Sequence, residues 1–550
     1  VRVAMEGVVS SCLLVGVDNL PVVMSELREM FGLGVSVTST KSLSALMSGD
    51  DKSLDLASTF DLVIVVDTVR QLATTACAAM KLEVSGRESA IADVVSAGGH
   101  VGKAWLQVME KLCPATKKLM VVRPRLTRNV SSGDNHEEPC DTSSTGDVAL
   151  AQDLIEVALS GAVRCAQLEY TGVQMVVVDV CGGDVCEAVS SELKVWDGEL
   201  EVRYVEGQRL VKRYDVVEEV SGLDEDDGDD SEVVVSDVTG GTFIVTGGLG
   251  GLGLLTAKVL ARLGAARLVL LSRSGKVSHE GQGLEAELAW LQEESGCDVH
   301  VLCCDVSVEA SVVSMLAVVR EMGSGDIRGI VHAAGVIRDA LIRGGGAAAG
   351  CEAVWSSKAQ SAWFLHEHSA GDDLKYFIVF SSTTSAAGNV GQSAYGYANS
   401  FLESLVSHRL SRDMCGTGVR WPAVSGVGMA VAAGIDLMGT SIPPAYVEKV
   451  LNSLFCHRIV ESAELSIIPN SLFDMLPASV SSQFQSFMSA PQPLNVSRGV
   501  RPGLRKREVM SDGRGVTEVV ESVRAVALKL LDCEEIGDDD QLMDVGLDSF

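Results

Sequence analysis

The hydrophobic positions of residues 1–221 fall in short Val-rich runs, with helical patterns in the stretches between them. "SCLLVGVD", "DLVIVVD", "KKLMVVRP" and "VQMVVVDV" show too little polar alternation for a half-exposed sheet, so each predicts a strand buried on both faces. Their alternation with helices predicts an α/β unit with a mainly parallel sheet. "LEVRYVEGQRLVKRYDVV" differs: apolar and charged residues alternate on both sides of Glu206-Gly207, which predicts an antiparallel hairpin at the unit's end. A second α/β unit of strand and helix signals spans roughly 236–480, so the expected fold class is α/β with two such units. Between them "LDEDDGDDSE", Leu223 to Glu232, lacks the apolar side chains that would order it and predicts a linker or exposed loop. The Pro/Ser/Gln-rich "SAPQPLNVSRGVRPG" predicts a tether, and an acidic helical segment starts near Val516. The expected boundaries are 1–235, 236–480, 481–512 and 513–550.

A chain of 550 residues is too long for one ordinary core and should hold two to four domains. Asp and Glu number 74 against 44 Lys and Arg, a net charge of -30 that repels nucleic acid and anionic membrane surfaces and excludes both as partners. No apolar run approaches the roughly 20 uncharged residues of a membrane span. The 14 Cys include no C-x-x-C pair and no cluster at zinc spacing, and Cys181 and Cys186 have no matching second pair. His366 and His368 stand two apart and cannot share a helical face. No metal is expected, and reduced thiols in the cytoplasm are. The chain starts at Val1 without a basic region leading into an apolar core, and both ends read as cuts in a longer polypeptide.

Residues 1–221 contain no G-x-G-x-x-G, but "GTFIVTGGLGGLGLLTAKVLARLGAARLVLLSRSG" runs from a buried strand through a glycine loop into an amphipathic helix. Gly248, Gly250 and Gly253 form G-x-G-x-x-G; Thr246, Gly247, Gly251 and Gly253 satisfy the T-G-x-x-x-G-x-G spacing found in short-chain reductases, with Leu252 between the last two. Such a loop brings a pyrophosphate to free N–H groups at a helix N-terminus, so dinucleotide binding is expected. After the next strand, Ser272-Arg273-Ser274 stands where an NAD site carries an acid for the ribose 2′-OH. A cation there suits the 2′-phosphate of NADPH, the alternative being an arginine that merely solvates a strand end. Asp305-Val306 closes the third strand, where Asp305 can accept from the adenine amine, and small Ala333, Ala334 and Gly335 would let backbone lie against the cofactor.

"LKYFIVFSSTTSAAGNVGQSAYGYANSFLESL" ends a buried strand on serines and opens a helix on a tyrosine, with Ser382 and Tyr395 at the spacing of a carbonyl-reducing pair. Hydride addition leaves an alkoxide that must be protonated, and a phenol with a pKa near 10 needs a cation to donate at neutral pH. Four residues after Tyr395, where stand-alone short-chain reductases have lysine, stands Asn399; Lys358 in "VWSSKAQSAWFLHEHS" is the candidate cation. "TGGLGGLG", "HAAGVIRDALI", "KAQSAWFLHE", "FSS", "GQSAYGYAN" and "VSGVGMA" occur in order. Over about residues 100–435 the chain resembles the modular polyketide synthase ketoreductase, in which lysine and asparagine have exchanged places relative to the stand-alone enzymes.

The resemblance implies two Rossmann-like units, an N-terminal structural one without a cofactor motif and a C-terminal catalytic one. It makes Tyr395 the proton donor, Ser382 the donor to the developing oxyanion, Lys358 the cation that tunes the phenol, and Asn399 a water or proton-relay anchor. It implies NADPH-dependent reduction of a β-ketoacyl thioester. Asp339, with Gln392 near the tyrosine and Ala387 where the other stereochemical class has Trp, points to a D-configured alcohol. Pro422 after the Trp departs from the family's usual Gly. The final "GLDSF" looks like the phosphopantetheine attachment motif of an acyl carrier domain truncated at its start, with Ser549 as the attachment site. The expected partners are a carrier domain with its tethered acyl chain and other domains of the same synthase. A short-chain dehydrogenase acting on a free ketone or alcohol, and an inactive structural ketoreductase, stay open as alternatives.

Overall fold

All four Val-rich runs are strands, and they lie in one sheet. The computed structural model describes residues 11–15, 36–40, 61–66, 87–125, 144–214, 237–278, 282–322, 326–428, 441–456 and 464–467. The acidic stretch 223–232, the tether and the segment carrying Ser549 lie outside these residues. The first sheet holds β1 (Ser11–Val15), β2 (Ser36–Thr40), β3 (Leu62–Val66), β4 (Lys118–Arg125), β5 (Gln174–Cys181), β6 (Glu201–Val205) and β7 (Gln208–Val211). Their order is β2-β1-β3-β4-β5-β6-β7, parallel except where β6 meets β7. That last pair is the predicted hairpin. Val205 pairs with Gln208, and Glu206 and Gly207 both take left-handed φ, 49° and 82°, as a two-residue type I′ turn requires. The polar β2, "SVTST", carries no apolar signal and was not predicted.

Long crossover helices α1 (Arg87–Leu112) and α2 (Ser144–Glu169) follow β3 and β4, as parallel neighbours require. The shorter α3 (Val185–Val195) follows β5, its first turn capped by Asp184, which accepts from the Cys186 N–H at 2.7 Å.

The second sheet is entirely parallel and runs β10-β9-β8-β11-β12-β13-β14. Its strands are β8 (Thr242–Thr246), β9 (Arg267–Ser272), β10 (Asp298–Cys303), β11 (Ile327–His332), β12 (Tyr376–Ser382), β13 (Thr417–Trp421) and β14 (Glu464–Ser466). The connecting helices are α4 (Gly251–Arg262), α5 (Leu284–Glu293), α6 (Glu309–Glu321), α7 (Gly346–Trp355), α8 (Ser361–His368), α9 (Thr383–Ala387), α10 (Ser393–Leu410) and α11 (Pro444–Phe455). Strand order reverses between β8 and β11, the switch point at which doubly wound sheets bind ligands. The expected class, two Rossmann-like parallel sheets, is the class observed. Among the described residues no helix is long and apolar enough to cross a membrane.

Both sheets belong to one unit, Val1–Leu223 with Asp227–Met488, and a single core joins them. α1 packs on α7 and α2 on α10, so the helices of the first sheet cover the face of the second that would otherwise meet water. The crossing of α2 and α10 is backbone to backbone: a Cβ on Gly161 would overlap the Gly396 carbonyl, and one on Gly396 would lie 2.8 Å from the Gly161 oxygen. Two aromatic side chains of the second sheet's helices also reach α1. The Trp355 indole donates to Val95 O at 2.8 Å and the Tyr397 hydroxyl to Gly98 O at 2.9 Å, with the two rings stacked 4.7 Å apart. Tyr397, two residues after Tyr395, is thereby turned toward α1.

Glycine inside a helix ordinarily costs about 0.5–1 kcal/mol relative to alanine. At Gly161 the sign should reverse. Gly161→Ala forces two helix backbones apart, and overpacking of this kind costs about 1–3 kcal/mol. Chemical denaturation should show a lower midpoint for the variant, and a midpoint at or above that of the parent would refute the close crossing.

Candidate active site

β8 leads straight into the glycine loop, whose turn is set by Gly247 at φ 61° and by bonds from Gly248 N to Leu271 O (3.0 Å) and Gly250 N to Gly247 O (2.9 Å). Gly253 packs so tightly on this turn that a Cβ would overlap the Gly247 carbonyl. α4 then starts with Gly250 as its N-cap and no side chain capping it. Its first N–H groups are thus left for an anion, and Leu252 is turned partly into the core below.

The loop sits against the segment after β11. Ala333 N donates to Thr246 O at 3.2 Å, and Ala334 N donates to Thr246 Oγ1 at 3.1 Å. Thr246 Oγ1 in turn donates to His332 Nδ1 at 2.8 Å, which leaves His332 Nε2 to donate to Lys358 O at 2.9 Å. Burial holds this imidazole neutral, with its pKa pulled down to about 3, and nearby Lys358 adds to the effect. Ser272, at the end of β9, accepts from Gly275 N at 2.9 Å; the adjoining Arg273 is exposed and has no ion-pair partner among the described residues. One oxygen of Asp305 caps the turn before α6 by accepting from Ser307 N (3.1 Å) and Oγ (2.7 Å), and Val306 is buried beneath.

Lys358, Tyr395 and Asn399 come together beside β12, the strand whose last residue is Ser382. Lys358 lies in a short π-helical turn, Ser356–Gln360, between α7 and α8. Its carbonyl accepts from both His332 and Ser361, and its stem runs past Gly335, where a Cβ would come 2.7 Å from Cε. The ammonium donates to Phe380 O at 2.8 Å and sits 5.2 Å from the centre of the Tyr395 ring. Burial lowers the Lys358 pKa to about 7, against the pull of Glu403. The Tyr395 phenol lies above its ordinary value, at about 12, because burial dominates; Asn399 opposes the shift and Asp339 adds to it. The Asn399 amide donates to Tyr395 O at 2.9 Å, one turn back.

Ser382 caps α9, accepting from Thr384 N and donating to Thr384 Oγ1, both at 3.2 Å. Thr384 passes the bond on to Gln392 Oε1 at 2.8 Å, and Gln392 Nε2 donates to Asp339 at 2.9 Å. Partial burial raises the Asp339 carboxyl, with the Gln392 bond opposing.

Beneath the site lies a carboxylate that the sequence reading passed over. Glu403, on α10, accepts from Ser381 at 2.6 Å, from Ser385, and from Arg420 at 2.8 and 2.7 Å. Burial alone would raise its pKa, but Arg420 and the two hydroxyls outweigh burial and hold it low. A lone acid in the apolar "SFLESLV" and a lone Arg in "GVRWP" were the available signal, since such charges are rarely buried unless paired. The two helical histidines do separate as expected: His366 is buried with Nδ1 accepting from Arg409 at 2.8 Å, whereas His368 meets Glu309 at 2.9 Å near the surface, beside Glu367.

Residues 241–426 match the KR domain family. Among curated proteins the chain is 33% identical over 228 residues to the mycocerosic acid synthase-like polyketide synthase of Mycobacterium tuberculosis (strain ATCC 25618 / H37Rv), covering 42% of this chain and 10% of that one. It is 34% identical over 270 residues to polyketide synthase GfsA of Streptomyces halstedii, covering 49% of this chain and 3% of the relative. The chain thus spans a tenth or less of these relatives' length. Two solved structures share its fold: an A-type ketoreductase from a modular polyketide synthase (TM-score 0.63, 20% identity, 88% of this chain and 96% of that one) and the first ketoreductase of the tylosin PKS (TM-score 0.60, 21% identity, 86% and 94%). The KR match holds the glycine loop and all four residues of the Lys358–Asn399 cluster, while α1 and α2 lie before it.

The buried lysine gives a stability test within the KR region. Its folded pKa, about 7, is below the unfolded value near 10.4, so between these values the unfolded chain binds more protons and stability rises with pH. The stability of the parent relative to Lys358→Met should therefore climb as pH goes from about 7 to about 10. A pH-independent difference in denaturation midpoints would show that Lys358 is not desolvated.

Proposed function

We propose that the chain reduces a β-ketoacyl thioester to the β-hydroxyacyl thioester with NADPH, the substrate being tethered by a pantetheine arm to an acyl carrier domain of the same polyketide synthase. The carrying observation is the buried Lys358 ammonium, 5.2 Å from the Tyr395 ring and bonded to Phe380 O two residues before Ser382, in the sheet whose glycine loop opens a helix with no side-chain cap. That uncapped terminus and the exposed Arg273, which has no ion-pair partner among the described residues, fit the pyrophosphate and 2′-phosphate of NADPH, which when bound supplies the hydride.

In this reading the ketone oxygen takes the Ser382 hydroxyl bond now made to Thr384, and it receives the Tyr395 phenol proton as the hydride reaches the carbonyl carbon. A phenol at about 12 keeps its proton until negative charge develops on that oxygen. Lys358, close to the tyrosine ring, stabilises the phenolate left behind. Asn399 Oδ1 is buried with no hydrogen-bond partner among the described residues and suits a relay that returns the proton. Asp339 and Gln392, joined at the rim, favour the D-configured alcohol. Ser549 carries the pantetheine arm, and similarity to much longer synthases supports a tethered substrate.

Tyr395→Phe should lower kcat for a β-ketoacyl thioester analogue by roughly 100- to 10,000-fold, the usual worth of a general acid, and leave the Kd for NADPH within about twofold. Turnover near that of the parent would refute Tyr395 as the acid. Arg273→Glu should abolish the preference for NADPH over NADH in kcat/KM, and an unchanged ratio would assign the 2′-phosphate to another residue.

A further inference from the structure

The first sheet's layer carries no cofactor motif, yet it places one carboxylate at the rim of the site. Glu169, the last residue of α2, accepts from Ile342 N at 2.8 Å, Gly391 N at 3.2 Å and Ser393 Oγ at 3.3 Å. Ile342 ends the segment bearing Asp339, while Gly391 and Ser393 flank Gln392 at the start of the helix that bears Tyr395. The two segments also bond to each other, Ala340 N to Gly391 O at 2.8 Å and Gln392 Nε2 to Asp339 at 2.9 Å. From Gln392 the hydrogen bonds continue through Thr384 to Ser382. Glu169 is thus the outer anchor of a continuous run that ends on the serine of the site.

An acid at the C-terminal end of a helix with no basic residue in its last turn opposes the helix dipole, so α2 itself does not favour Glu there. The three donors do. Burial raises the Glu169 carboxyl and these donors oppose the shift. Only an acceptor suits the position: Ile342 N approaches one carboxylate oxygen and Gly391 N the other, so an amide in either orientation sets its NH2 against a backbone N–H.

We infer that Glu169 is a positioning residue for the reductase site, clamping the Asp339 segment to the start of the Tyr395 helix and so fixing which face of the ketone is presented. The inference rests on the reductase reading of that site. Its test uses Glu169→Gln and Glu169→Asp in the full chain, with NADPH and a β-ketoacyl thioester analogue. For both variants kcat/KM for the thioester should fall roughly 10- to 100-fold, as for a modest misplacement, mostly in KM, and the minor enantiomer should increase while KM for NADPH stays within about twofold. The enantiomer ratio does not depend on how much of the protein is folded. Hydrogen exchange supplies a readout without turnover: in both variants the Ile342 and Gly391 amides should exchange faster, and the amides of the glycine loop should not. An unchanged enantiomer ratio and KM in an active variant, or unchanged exchange at both amides, would overturn the clamp. A parent chain that binds NADPH but reduces no thioester would instead sink the reductase reading and leave the clamp to the exchange result.

Discussion

The site depends on one constraint: α10, which carries Tyr395, Asn399 and Glu403, is buried on nearly every face. A helix on the outside of an open sheet is normally amphipathic, with one stripe against the strands and the other in water. Here β12 packs on one side and α2 crosses the other so closely that Gly161 and Gly396 leave room for no side chain between them. Ser393 through Val406 are buried without a break. The first sheet therefore has a physical task although it carries no cofactor motif. It removes water from the far side of the helix that holds the acid.

Removing water has electrostatic consequences that the buried groups answer one by one. The phenol of Tyr395 is driven up and the ammonium of Lys358 down, as desolvation of an acid and a base requires. Burial brings the pKa of the Lys358 ammonium to about 7 beside the tyrosine ring. Under them Glu403 stays ionised because Arg420 faces it with two bonds and two serine hydroxyls fill its remaining lone pairs. A buried ion pair of this kind is weak evidence for stability, but removing one partner leaves the other uncompensated, at a cost of about 3–5 kcal/mol. Its better-supported role here is geometric: it pins the two serines on either side of Ser382, and through them the turn from β12 into α9.

Much of the fold could be read from the sequence because burial on both faces leaves a compositional mark. "DLVIVVD" and "VQMVVVDV" are strands for the reason that made them visible, and Glu206-Gly207 is a two-residue turn because both residues take left-handed backbone. β2, "SVTST", offered no such mark. The residues of the cluster were readable through spacing along β12 and α10, which are continuous elements. Lys358 needed the family resemblance, because its position depends on a π turn that no periodicity announces and on a carbonyl held by His332, 26 residues earlier. The first sheet's contribution was not readable at all. Trp355 to Val95, Tyr397 to Gly98 and Glu169 to Gly391 are contacts between residues more than 200 apart, and each side chain viewed alone is an ordinary core or surface residue.

Those long-range contacts also explain why the two sheets form one unit. Arg164, five residues before Glu169 on α2, is buried with its guanidinium bonded to both oxygens of Glu201 in β6 and to the backbone carbonyl of Ser385 in α9. A guanidinium in that position is satisfied only when the hairpin of the first sheet and the catalytic turn of the second are both in place, since removal of either leaves it desolvated with donors unmet. Glu169 has the complementary requirement: among the described residues its acceptors are met by Ile342, Gly391 and Ser393, all in the second sheet's segments. One helix thus presents a buried cation to Ser385 and a partly buried anion to Ile342, Gly391 and Ser393. The uncompensated charge left by partial assembly makes the half-formed states costly, and the first sheet is in this way tied to the geometry of the site as well as to its cover.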